Sequence, residues 1–221
     1  GEDISWARWS LPLGNGYFGA NVFGRTETER IQITEKTLQN PPTLTKDGVK
    51  YSVGGLNSFS ETYIDFNHTN SAVTDYRREL DLETAISSVE YKYNGVKYTR
   101  EYFTSYDDKA LVIRLDADKD GELNFDLRPT IPYLQSYGGY QGDGVTKTGS
   151  VTSSVENGVG HIELAGKMGY FDIDFLGLYR VYTDGGEIKA STVEHKYEDT
   201  DKTQKTVNNG IISDKKEKSA Y

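Results

Sequence analysis

Apolar residues in this chain recur mostly at every second position, in short runs broken by Gly, Asp and Asn. That spacing predicts strands joined by turns. YFGANVFG (17–24) and ERIQI (29–33) read as two strands joined by the polar turn Arg25 to Thr28. The alternation is clearest over 88–128, where Asn94-Gly95 separates VEYKY from VKYTREYF. This dipeptide suits a type I′ hairpin turn, which needs positive φ at both central residues. Asp120-Gly121 is expected to act similarly between ALVIRL and LNFDL. Only Arg78 to Ser88 could pass for a helix. Leu80, Leu82, Ala85, Ile86 and Val89 fit a two-residue period as well as a helical one, so the segment is read as a strand with a turn.

Residues 36–60, with Pro41, Pro42, Gly54 and Gly55, read as a long irregular connection. HIELAG (161–166) reads as a strand between Gly-rich loops, and FLGLYRVY, Asp184-Gly185-Gly186 and EIKAS as one more hairpin. The fold class expected is all-β, a large antiparallel β-sandwich forming a single domain over residues 1–195. Residues 196–221 are rich in Glu, Asp, Lys, Thr and Asn, and are expected to be a solvated loop or disordered terminus. Gly210 to Ser213 would begin a further strand, with the chain then stopping as if cut from something longer.

Composition narrows the function. With 221 residues and a net charge of −9, the chain repels phosphate backbones and anionic membranes, so neither nucleic acid nor membrane is an expected partner. No run approaches the roughly 18 apolar residues that span a bilayer. Zero cysteines exclude disulfides, thiolate metal sites and thiol nucleophiles, and three separate histidines argue against a histidine-based metal site. No cofactor is expected.

Three motifs imitate chemistry. Gly14, Gly16 and Gly19 satisfy G-x-G-x-x-G, but a dinucleotide site needs a helix N-terminus after the glycines, and a strand-like NVFG follows instead. Asp116, Asp118, Asp120 and Gly121 copy the first half of a calcium loop. The bidentate Glu required at its twelfth position is Leu127, so an acidic turn is preferred over a weak calcium site. Among carboxylates no spacing singles out an acid/base pair, and Asp65, Asp81, Asp172 and Asp174 read as strand-face and turn residues. Aromatic residues in or beside Gly-rich loops, Trp6, Trp9, Tyr17, Phe18, Tyr133, Tyr137 and Tyr140, are candidates for stacking on sugar rings.

The run LPLGNGYFGANVFG with ERIQITEKTL, followed by DYRRELDLETAISSVEYKYNGVKYTREYFTSYDDKALVIRL, closely resembles the N-terminal domain of glycoside hydrolase family 95, the inverting α-L-fucosidases and their relatives. The resemblance covers roughly residues 6–190. It implies a β-supersandwich that packs through a linker against a catalytic (α/α)6 barrel. In that family the general acid, a Glu, and an asparagine-assisted water both sit on the barrel. No catalytic residue carries over, and the isolated chain is expected to be inactive. Expected partners are the barrel of the same parent chain and a fucosyl or related oligosaccharide. The parent would be a secreted or cell-surface bacterial enzyme, with a cytoplasmic one as the alternative.

By the same resemblance the turn Leu11 to Gly19 faces the barrel near the mouth of its active site. Trp9, Asn15, Tyr17 and Glu35 are the candidate rim or interdomain residues. The competing reading is a self-satisfied turn, with Asn15 left-handed and Glu35 capping a loop. One departure stands out: the family's NE-x-TLW-x-G is here Thr34-Glu35-Lys36-Thr37-Leu38-Gln39-Asn40, with Gln39 for the tryptophan. The alternatives in other classes are a free-standing carbohydrate-binding β-sandwich and a purely structural domain.

Overall fold

A computed structural model describes residues 8–46, 48–52, 54–132, 147–199 and 202–212. Sixteen strands lie among them and short 3-10 turns join a few, as the alternating pattern predicts. The largest sheet has seven antiparallel strands in the order β1 (Leu11–Gly14), β2 (Phe18–Val22), β3 (Thr28–Gln39), β6 (Leu56–Asp65), β11 (Asp126–Thr130), β16 (Lys202–Ile212) and β15 (Lys189–Asp199). A four-stranded sheet runs β10 (Ala110–Ala117), β9 (Val96–Ser105), β8 (Ile86–Tyr93), β7 (Val73–Asp81). A third sheet is β12 (Lys147–Glu156), β13 (Val159–Met168), β14 (Ile173–Val181), and β4 (Thr43–Lys46) pairs only with β5 (Val49–Ser52).

Strand periodicity explains the layering. On the large sheet Glu29, Ile31, Thr62, Ile64 and Leu127 share one face by register, and all are buried. The four-stranded sheet meets this face through Arg100 and Tyr102, and the three-stranded sheet through Tyr179, whose hydroxyl bonds Ser60 and Thr62 at 2.9 and 2.8 Å. The core, with Val22, Ile31, Leu38, Ile64, Val89, Ile162 and Leu164 almost fully buried, therefore lies between one wide sheet and two narrower ones.

The other face of the large sheet is polar. Arg30 pairs with Glu61 at 2.6 Å, Tyr63 donates to Glu61 at 2.6 Å, and Arg128 grips Asp65 with two nitrogens. Asp65 is a strand-face residue, as expected. Asp81 caps the β7–β8 turn by accepting from the backbone of Glu83 and Thr84, and Asp172 and Asp174 both pair with Lys167.

Several segments differ from the sequence reading. Residues 36–60 are not an irregular connection: they complete β3, form the β4–β5 hairpin and begin β6. Asp120-Gly121 does not make a hairpin, because β10 pairs with β9 while β11 pairs with β6, so this stretch crosses between layers. The segment after FLGLYRVY also changes sheets, since β14 pairs with β13 and β15 with β16. In the polar tail, residues 196–199 belong to β15 and 202–212 to β16, where a loop was expected up to Gly210, and these paired strands join the large sheet through Leu127 opposite Ile211. Its Thr and Val content favours strands whatever its net polarity.

β3 shifts register against β6 between Ile33 and Thr34 and again between Thr34 and Gln39, so Glu35 to Leu38 have no partner on β6.

Candidate functional site

The β1–β2 turn is locked by one side chain. Asn15 Oδ1 accepts from the backbone N–H of Tyr17 at 3.0 Å and of Phe18 at 3.1 Å, its own N–H donates to the Phe18 carbonyl, and its Nδ2 donates to the carbonyl of Ser105 at 2.7 Å. An Asx turn of this kind needs a side-chain oxygen two residues before the amide it captures. The left-handed position falls to Gly16, with φ 82°, and not to Asn15 as the competing sequence reading had it.

The bond to Ser105 brings the end of β9 and the turn 106–109 beside Tyr17. The rings of Tyr17 and Tyr106 lie 5.5 Å apart at 42°, and Tyr106 is 64% exposed. Lys36 Nζ sits 4.2 Å from the centre of the Tyr17 ring and Lys109 Nζ 4.7 Å from it. Lys36 is fixed at its backbone by an N–H bond to the Tyr17 carbonyl, and Lys109 turns back through a left-handed φ of 52°. Two tyrosines and two ammonium groups from three separate segments thus share one patch.

Glu35 lies opposite Phe18 on β2, and its carboxylate accepts from the backbone and hydroxyl of Thr37. Both residues lie within β3, so this contact runs along the strand, where the competing reading expected Glu35 to cap a loop. Trp9 is 61% exposed but sits at the other end of β1 from Asn15, where its carbonyl accepts from Arg78. Asn15, Tyr17 and Glu35 are brought together, then, and Trp9 is not. Trp6, Tyr133, Tyr137 and Tyr140 lie outside the described residues. Tyr106 and Lys109 were missed because their contact with Tyr17 spans sheets, and Lys36 because its contact depends on the pairing of β3 with β2. Leu13, on β1 just before this turn, is buried in the domain's own core.

Among the calcium candidates, Asp116 pairs with Thr99 in the ladder and Asp118 accepts from the N–H of Lys97 at 2.8 Å. Among the described residues no three His, Asp or Glu side chains gather in a way that would hold a metal ion.

The buried polar centre lies elsewhere and is structural. Glu29 accepts from Gly24 N–H at 2.8 Å, from Tyr102 at 2.9 Å and from Arg100 at 3.1 Å, and Arg100 also donates to the Arg25 carbonyl at 2.8 Å. Burial holds the Tyr102 hydroxyl well above its ordinary value. Beside it His68 Nδ1 lies 2.9 Å from the Tyr91 hydroxyl, and burial, helped by the Arg100 charge, pulls the imidazole down to about 4. Lys147, fully buried, donates to the carbonyls of Ser58 and Pro132, and burial lowers it to about 7.

Residues 4–47 and 43–203 match the model of the family described as Glycosyl hydrolase family 65, N-terminal domain. An alignment of 160 residues is 30% identical to Alpha-L-fucosidase 2 of Arabidopsis thaliana and takes in 57% of this chain and 18% of that protein. The chain therefore spans less than a fifth of the length of the curated relative it matches.

Proposed function

Since this chain belongs to the Glycosyl hydrolase family 65, N-terminal domain family, we propose that it serves a longer, fucosidase-like glycoside hydrolase as a non-catalytic β-sandwich. The sequence resemblance to a glycoside hydrolase N-terminal domain is borne out, with family 65 as the matched description where family 95 was expected. The observation that carries the reading is the family match, which runs from residue 4 to residue 203, beside an alignment to the fucosidase that takes in only 18% of that protein. In this reading the acid and base of an inverting hydrolysis sit on a helical barrel, and the turn held by Asn15 packs at its rim. The rigidity of that turn supports the role, because a loop that shapes a neighbouring site must hold its position.

The test is hydrolysis of an aryl α-L-fucoside by the 221-residue chain and by the longer parent chain. Activity in the parent and none in the chain alone is the expected result. Turnover by the chain alone would overturn the reading. A second reading, a carbohydrate-binding module without catalysis, is favoured by the exposed Tyr106 ring beside Tyr17, and inactivity of the parent would promote it.

A further inference from the structure

We infer that Tyr17, Tyr106, Lys36 and Lys109 form a binding site for a glycan bearing an anionic substituent, a carboxylate or a sulfate. The inference rests on the reading of this domain as part of a carbohydrate-active enzyme and adds the class of sugar that the rim accepts.

A chain of net charge −9 has acids to spare, yet none of the ion pairs among the described residues uses Lys36 or Lys109. Two of the acids nearest in sequence are occupied locally. Glu35 accepts from Thr37, and Asp108 accepts from the Ser105 hydroxyl at 2.7 Å. Both ammonium groups rest instead on one tyrosine ring, a contact worth about 0.5–1 kcal/mol at an exposed site and readily exchanged for an anion. Each rides on a flexible four-carbon stem and can swing from the ring toward a carboxylate or sulfate.

The aromatic half supplies the rest. Tyr106 offers a ring face to solvent next to Tyr17, and a sugar's apolar C–H surface stacks there while its hydroxyls stay in water. The patch is also positioned. Asn15 ties the Tyr17 turn to Ser105, the residue before Tyr106, and Lys109 holds a left-handed conformation that glycine would adopt with less strain. A neutral sugar would use the ring alone; an anionic one uses the ring and both lysines.

The experiment is a titration of the 221-residue chain, followed by NMR shifts and calorimetry, with an oligogalacturonate, a sulfated oligosaccharide and the neutral parent of each. The expected result is binding of at least one anionic oligosaccharide about tenfold or more tighter than its neutral parent, weakened by salt. In the double variant Lys36→Gln/Lys109→Gln that preference disappears while weak binding of the neutral sugar remains. Tyr106→Ala loses both. Whichever of the carboxylate and sulfate probes binds tighter identifies the source of the charge. Equal affinity for charged and neutral sugars, a preference that survives the double variant, or no saturable shift with any probe overturns the inference. None of these results bears on the hydrolysis assay, which decides the reading of the domain separately.

Discussion

Glu29 and Arg100 meet across the two layers at 3.1 Å, each side chain with no more than 1% of its surface exposed. Removing one partner of such a pair leaves a buried charge without its counter-ion and costs about 3–5 kcal/mol. Arg100→Ala is therefore expected to lower the denaturant midpoint sharply, and Glu29→Gln, which keeps the acceptor oxygen, by less. Equal and small losses from both would show that the layers are held by apolar packing alone.

Asn15 joins the β1–β2 turn to the chain 90 residues away. Asn15→Ala deletes its side-chain bonds to Tyr17, Phe18 and Ser105 and is expected to cost about 1–2 kcal/mol. The more telling readout is amide exchange: protection of residues 16–18 and 106–109 should fall together. Loss in the first segment alone would mean that the Ser105 bond contributes nothing to the second.

His68 predicts an acid-side dependence. Its imidazole titrates near 4 in the fold and near 6.5 when unfolded, so between these values the unfolded chain takes up a proton that the folded chain refuses. Stability owed to this group is intact above pH 6.5 and falls as the pH drops toward 4, at up to about 1.4 kcal/mol per pH unit. Carboxylates titrate in part of the same window, so the measurement is the difference between wild type and His68→Gln. That difference should change across the window, and a constant offset would refute the assignment.

Lys147 predicts a dependence of the same sign at neutral to alkaline pH. Burial holds it near 7, against 10.5 in the unfolded chain. Between those values the unfolded chain is the more protonated, and stability from this group rises with pH. Lys147→Met should remove that rise while leaving the stability curve below pH 7 nearly parallel to wild type. A wild-type curve flat from neutral to alkaline pH would contradict the lowered value.

What the sequence revealed follows the range of the interaction responsible. Asn94 and Gly95 both adopt positive φ, 51° and 75°, so the β8–β9 hairpin is written in two adjacent residues. Gly121 also has positive φ, 75°, but a turn does not record which sheet the next strand joins, and β11 pairs with a strand from far upstream. The β4–β5 hairpin had its own signal, Asp47-Gly48 between TLTK and VKYS, obscured by the neighbouring Pro41-Pro42. Asn15 and Tyr17 could be singled out because the turn is local. Tyr106 and Lys109 reach them only once two layers have packed, and no local pattern encodes that.

The slack in β3 carries a consequence for how such domains diversify. Between its pairings at Thr34 and Gln39 the strand takes five steps where β6 takes two, and Lys36 lies on the surplus. Adding or deleting a residue after Lys36 lengthens or shortens an arm without displacing the ladder to β6 on either side. Leu38, buried within this stretch, anchors the arm and limits how far it can be altered. A gene lineage can thus retune what this edge of the sandwich grips by changing the length of one short segment, while the apolar interior stays as it is.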